Sequence, residues 1–402
     1  MKRICKLSLL PLLILLFSLS LTSCNDAETI TLNVYNWGEY ISDGSEESLN
    51  VNQEFEKYYF DTYGVKLKVN YTTYASNEDM YAKLKSGATS YDVIIPSDYM
   101  IERMISEGML AELNFSNIPN YEYVVEEFRN QYYDPENRYS VPYTYGMVGV
   151  IYNTTMVDEE DAGSWDLLWN EKYQGKILQF NNSRDAFGTA MYRLGIDVNT
   201  KDEAQWRQAT ESLKEQKPLV QSYVMDEIFN KMKGESGAIA SYYAGDFLSM
   251  YDANNNLAFF YPEEGTNVFV DAMCIPIDSR QKDIAECYIN FMLSHDIAVA
   301  NAEYICYASP NKLVIEDPEY IAYMNSMHED AMEILYPSYD VKSTYYQNLS
   351  PETLVMLNSL WEELKIESSG GQGVYICSAV IAITLTVWFV YHFIRKKYRD
   401  NY

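Results

Sequence analysis

Strict alternation of apolar and polar positions marks Val65-Lys66-Leu67-Lys68-Val69-Asn70-Tyr71 as a half-buried strand. The same period in Ile30, Leu32 and Val34 predicts an earlier strand that runs into the turn Asn36-Trp37-Gly38-Glu39-Tyr40-Ile41. Ser76 is placed to cap a helix carrying Met80, Leu84 and Lys85, with Gly87 as its stop. Val93-Ile94-Ile95 is wholly apolar, as a short buried strand requires, and Pro96-Ser97-Asp98-Tyr99 turns it into a helix bearing Met100, Ile101, Met104 and Ile105. This alternation of strand and helix, with apolar strand runs, predicts an α/β fold with mainly parallel pairing. The chain has 402 residues, more than one core usually holds, so two lobes are expected. The apolar runs Met147–Tyr152 and Val268–Pro276 are the candidates for strands crossing between them.

The two ends break this pattern. Lys2, Arg3 and Lys6 precede an apolar run from Leu7 to Leu21, then Leu21-Thr22-Ser23-Cys24 follows, the layout of a secretory signal. A small residue before Cys at this place resembles the bacterial lipobox, which implies that residues 1–23 are removed and that Cys24 is lipidated, with residues 24–28 as a spacer. Near the other end, Val374 to Ile394 holds no charge, and as a helix of about 31 Å it would span a bilayer. Arg395, Lys396, Lys397 and Arg399 beyond it place residues 395–402 in the cytoplasm, so the body lies outside the cell membrane. Residues 367–373, rich in Ser and Gly, form a linker reaching about 14 Å.

Charge and composition narrow the function. The formal net charge is −28, and because both ends are basic the body is more acidic still. Such a surface repels nucleic acid and concentrates cations. Only Cys274, Cys287 and Cys306 lie in the body, without metal-ligand spacing, so neither a disulfide framework nor a metal site is expected. The chain has three histidines, His295, His328 and His392, the last inside the expected span, which argues against a histidine-dependent enzyme. No phosphate-cradling G-x-x-x-x-G-K-[ST] loop is present. No cofactor is expected.

The first turn supplies candidate chemistry. An indole (Trp37), a carboxylate (Glu39) and a phenol (Tyr40) sit together at the carboxyl end of a strand, where open α/β sheets bind ligands. Charge with aromatic faces suits an organic cation. Asn36-Trp37-Gly38-Glu39-Tyr40-Ile41, Tyr91-Asp92-Val93-Ile94-Ile95-Pro96-Ser97, Ser140-Val141-Pro142-Tyr143, Ser164-Trp165-Asp166-Leu167-Leu168-Trp169 and Tyr307-Ala308-Ser309-Pro310-Asn311 occur in an order that resembles the spermidine/putrescine-binding proteins of bacterial ABC polyamine importers. The resemblance runs from about Thr29 to Lys365. It implies a two-lobed periplasmic-binding-protein-like fold with crossing hinge strands, lobe one comprising residues 29–146 and about 272–318, and lobe two 147–271 and about 319–366. It implies a polyamine, putrescine or spermidine or both, held between the lobes and delivered to an ABC permease by a monomeric receptor that is not an enzyme.

Carried over position by position, the ligand-binding residues are Trp37, Glu39, Tyr40, Ser97, Tyr99, Asp185, Tyr243, Asp246, Phe269, Asp271, Tyr307 and Gln347. Gly38 stands where relatives carry a hydroxyl or an acid, Asn182 where some carry Asp, and Tyr243 and Phe269 where Trp is usual. The chemistry agrees with the assignment. A polyamine has ammonium groups at intervals along a methylene chain, and a buried ammonium without an acceptor is costly. Glu39, Asp185, Asp246 and Asp271 are acceptors; Trp37, Tyr40, Tyr243, Phe269 and Tyr307 are apolar walls. Two alternatives remain open on the residues alone. Adjacent Tyr242-Tyr243 resembles the tyrosinate pair of ferric-iron receptors, and two acids across a cleft describe a secreted glycoside hydrolase.

Overall fold

The computed structural model describes residues 29–338 and 341–366, together with Trp388. The signal segment, Cys24, the linker and, apart from Trp388, the expected span 374–394 lie outside these residues. Among the described residues no helix is long and apolar enough to cross a membrane.

Among the described residues ten strands form one curled sheet. In chain order they are β1 (Ile30–Trp37), β2 (Leu67–Tyr74), β3 (Val93–Ile94), β4 (Ser140–Asn153), β5 (Ile177–Phe180), β6 (Val220–Val224), β7 (Ile239–Tyr243), β8 (Leu257–Phe260), β9 (Thr266–Cys274) and β10 (Ser343–Tyr345). The order across the sheet is β2-β1-β3-β9-β4-β7-β5-β6, with β10 beside β9 and β8 beside β4. At one end β1 pairs in parallel with β2 and β3, and at the other β5 pairs in parallel with β6 and β7.

The middle differs from the mainly parallel sheet that the sequence suggests. Strand β9 runs antiparallel to β3 and β4, and β4 antiparallel to β7 and β8. The reason lies in the crossing. Residues Ser140–Met147 of β4 pair with β9, and Val148–Asn153 continue into pairs with β7 and β8. The chain leaves one half of the sheet on β4 and returns on β9, so the two must run in opposite directions.

Each half has its own core. Leu32, Val34, Phe55, Met80, Val93, Ile94, Ile95 and Met104 pack with Val270, Met273, Tyr288 and Ile289 in the first. Ile151, Trp165, Phe180, Phe187, Trp206, Ile239, Phe247, Tyr320 and Leu364 form the second. The helix His295–Ile305 serves both: Ile297 and Ile305 enter the first core, Ala298 and Ala302 the second. At 3.6 residues per turn the four positions share one buried arc, with the isoleucines toward one edge and the alanines toward the other. Cys274, Cys287 and Cys306 are free thiols.

Candidate functional site

Helix starts crowd the carboxyl ends of the strands where the two halves meet. They belong to α1 (Asn77–Lys85), α2 (Asp98–Ser106), α3 (Ser183–Arg193), α4 (Glu227–Lys233) and α5 (Ala244–Ala253). Each brings an acid in its first turn or at its cap: Glu78, Asp98, Asp185, Asp226 and Asp246. Acids are favoured there because unpaired backbone N–H groups give a helix start partial positive charge. Ser76 caps α1 as its sequence suggests, accepting from Asp79 N at 3.1 Å, and Asn182 caps α3 through Asp185 N at 2.8 Å.

These starts, with the β1 turn and β9, enclose a cleft of about 770 Å³ including its open mouth. Eleven of the twelve residues expected in the site line it; Gln347 does not. Gln347 is exposed, with its backbone N–H donating to Asn199 Oδ1 at 2.8 Å, and its neighbour Tyr346 turns a buried ring into the cleft instead. The segment after β10 is irregular, so no periodicity fixed which residue faces inward.

Asp271 sits on the floor. It accepts from Ser97 Oγ and from Tyr40 Oη, each at 2.6 Å. Tyr40 Oη also lies 2.6 Å from Thr144 Oγ1 on β4. Asn77 Nδ2 donates to Ser97 Oγ and to Tyr99 Oη, both at 3.1 Å, and Tyr99 Oη donates to Glu78 Oε1 at 3.1 Å. Across the cleft, Asp185 Oδ2 accepts from Tyr243 Oη and Asn182 Nδ2, both at 2.7 Å. Asp246 Oδ2 accepts from Tyr307 Oη at 2.9 Å. Phenols thus orient four of the carboxylates, and the rings of Tyr40, Tyr307 and Tyr243 pave the wall between them. Tyr40 meets Tyr307 edge-on at 5.0 Å, Tyr307 lies 6.3 Å from Phe269, and Phe269 meets Tyr243 at 5.3 Å. Half-buried Trp37 donates its indole N–H to Ile95 O at 3.0 Å and rests on Tyr74.

Sequence reasoning missed Glu78, Asp98 and Asp226 among the lining acids. Each follows shortly after a strand end, the same signal that singled out Glu39. With Glu39, Asp185, Asp246 and Asp271 they make, among the described residues, seven carboxyl groups around one cleft against a single lining cation, Arg184. Asp226 also explains Gly38: a Cβ at Gly38 would overlap the Asp226 carboxylate, so the glycine makes room for an acid from the other half. Glu39 itself holds a left-handed φ of 49°.

Burial is the largest influence on Asp271, Asp246, Glu78, Asp98, Asp185 and Asp226. It pushes Asp271 up to about 6 against the lowering effect of Ser97 and Tyr40, and Asp246 up to about 8 against Tyr307. Glu78, Asp98, Asp185 and Asp226 are raised by burial too, Asp226 with help from Glu39 and Glu227. The cleft therefore holds more carboxyl groups than positive partners, the arrangement a ligand cation relieves.

The iron alternative loses ground here. Tyr243 spends its hydroxyl on Asp185, and burial drives both Tyr242 and Tyr243 far above the usual phenol range, against tyrosinate formation. Among the described residues no group of three or more His, Cys, Asp or Glu side chains is placed to hold a metal ion.

Comparison with known proteins defines the class. Residues 88–329 match the family described as bacterial extracellular solute-binding protein, and the chain belongs to that family. Its members are solute-binding proteins and not enzymes, which removes the glycosidase reading. Within the family it stands with the spermidine/putrescine-binding proteins of ABC transporters. It is 32% identical to the spermidine/putrescine-binding periplasmic protein of Salmonella typhimurium, over 79% of this chain and 88% of that protein. A solved structure assigned to a spermidine/putrescine ABC transporter of Listeria monocytogenes superposes with a TM-score of 0.76 at 33% identity, covering 84% of this chain and all of that one. The TpPotD lipoprotein of Treponema pallidum superposes with a TM-score of 0.68 at 26% identity, covering 83% of this chain and 99% of that one.

Proposed function

We propose that this protein captures a polyamine in the cleft between its two halves and delivers it to an ABC permease on the outer face of the cell membrane. The observation that carries the proposal is the lining itself: seven carboxyl groups and one guanidinium, with a continuous aromatic wall from Tyr40 to Tyr243. Acceptors separated by rings match ammonium groups separated by methylenes. The two halves are joined by the crossing strands β4 and β9, and closure about them would bury the ligand and signal its presence to the permease. The names of the relatives support the same ligand class. Calorimetric titration with putrescine and spermidine tests it: one saturable site is expected, with no heat from a neutral sugar. Absence of binding to either amine would refute the proposal.

We also propose that Cys24 is lipidated and that residues 374–394 span the membrane. A Cys24→Ser variant should stay in the membrane fraction; its release with an intact C-terminus would contradict the span.

A further inference from the structure

Strand β9 places Asn267, Phe269 and Asp271 on one face, because side chains two residues apart point the same way. All three line the cleft, whereas Val268 and Val270 between them do not. The strand is regular here, its residues from Val268 to Asp271 pairing one for one with Met147 to Thr144 of β4. Asn267 is 3% exposed, yet its Oδ1 accepts no hydrogen bond. A buried acceptor left unpaired costs free energy, so a donor is needed at this point of the cleft.

We infer that Asn267 is a further ligand-binding residue, whose carbonyl oxygen takes an N–H of the amine farthest from Asp271, and that the cleft is therefore measured for a triamine. This inference rests on the polyamine reading above and refines it. Four residues of strand at about 3.3 Å each put Asp271 and Asn267 about 13 Å apart. An extended chain gains about 1.2 Å per bond, so a triamine with nine bonds between its terminal nitrogens spans about 11 Å, and hydrogen bonds at both ends close the gap. A diamine with five bonds spans only about 6 Å; even with a hydrogen bond of about 2.9 Å in line at each end it reaches about 12 Å and leaves one of the two acceptors unmet. Phe269, midway, covers the methylenes.

The surroundings of the Asn267 end are consistent with this. Strand pairing sets Asn267 beside Thr344, two residues before Tyr346, whose ring carries the Arg184 guanidinium at 4.3 Å. Glu78 and Asp185 both feel that guanidinium and outnumber it, so the charge around it stays negative. A neutral amide in place of a third acid accepts an N–H without adding another unpaired charge.

Calorimetry on the full-length chain tests the inference. Spermidine should bind at least tenfold more tightly than putrescine. Asn267→Ala should lower spermidine affinity about tenfold and leave putrescine within twofold, and Asn267→Asp, which keeps the acceptor, should restore spermidine. Equal affinity for the two amines in the natural chain, or equal losses for both in Asn267→Ala, would overturn it while leaving the polyamine reading intact. If neither amine binds, both fall together. Should Asn267→Ala not fold, simple diamines of rising length on the unmodified protein decide. The eight-methylene diamine, with nine bonds between nitrogens, should bind more tightly than the four-methylene one, and the reverse order would contradict the measured span.

Discussion

Asp246 and Asp271 face opposite demands before and after a cation arrives. In the empty cleft burial raises them to about 8 and about 6, so the folded protein holds protons that the unfolded chain would release. Their contribution to stability is fully present below the ordinary carboxylate range and drains away as pH rises through those values. A bound cation favours the ionised forms instead. Binding near pH 7 should therefore release protons, and affinity should fall as pH drops through 8 and then 6. Titration in buffers of different protonation enthalpy measures the release directly; identical heats in every buffer would contradict it. Trp37 makes a separate prediction. Its ring is half-buried and its N–H is anchored on Ile95, so Trp37→Ala should weaken polyamine binding by about 1–3 kcal/mol through lost cation–π and apolar cover. A circular-dichroism melt accompanies the titration, and an unfolded variant or unchanged affinity would make the ring a core residue only.

Elements near strand ends were the most legible part of the sequence. The period-two runs and the Ser76 cap locate β1, β2 and α1 because local hydrogen bonding and alternation dictate them. Position 347 lies outside the cleft lining and position 346 within it, which the sequence could not show because the chain beyond β10 has no such period. Asp226 was not foreseen because its approach to Gly38 joins residues far apart in sequence, which no local pattern records. The antiparallel centre escaped for a related reason: the direction of β4 against β9 follows from the chain crossing twice between halves, not from the composition of either strand. Within β4, Gly149 lies where a Cβ would overlap the Phe259 ring and come within 2.7 Å of Phe260 O on β8. Gly149→Ala should overpack this pairing and lower stability by about 1–3 kcal/mol, read as a reduced midpoint in denaturant, while polyamine affinity changes little. An unchanged midpoint would mean that β8 can shift freely.

At the scale of the molecule, two cores share two crossing strands, and the floor of the cleft between them is the buried Asp271 on one of those strands. Three hydroxyl-bearing neighbours, Ser97, Tyr40 and Thr144, knit both crossing strands to that carboxylate or to its partner. The acidic surface draws cations toward the cleft, but only a group inside it can pair with Asp271. Asp271→Asn keeps the shape and removes the charge. Breaking a buried charge pair from one side costs about 3–5 kcal/mol, so affinity for spermidine should fall at least about a hundredfold, while the empty protein should be no less stable. Glu363, exposed and paired with Lys214 at 2.7 Å, is the control for charge alone. The decisive measurement is the spermidine dissociation constant of Asp271→Asn beside that of Glu363→Gln. A loss of at least about a hundredfold for the first and almost none for the second is the predicted result, and equal small losses for both would contradict capture of the amine in this cleft.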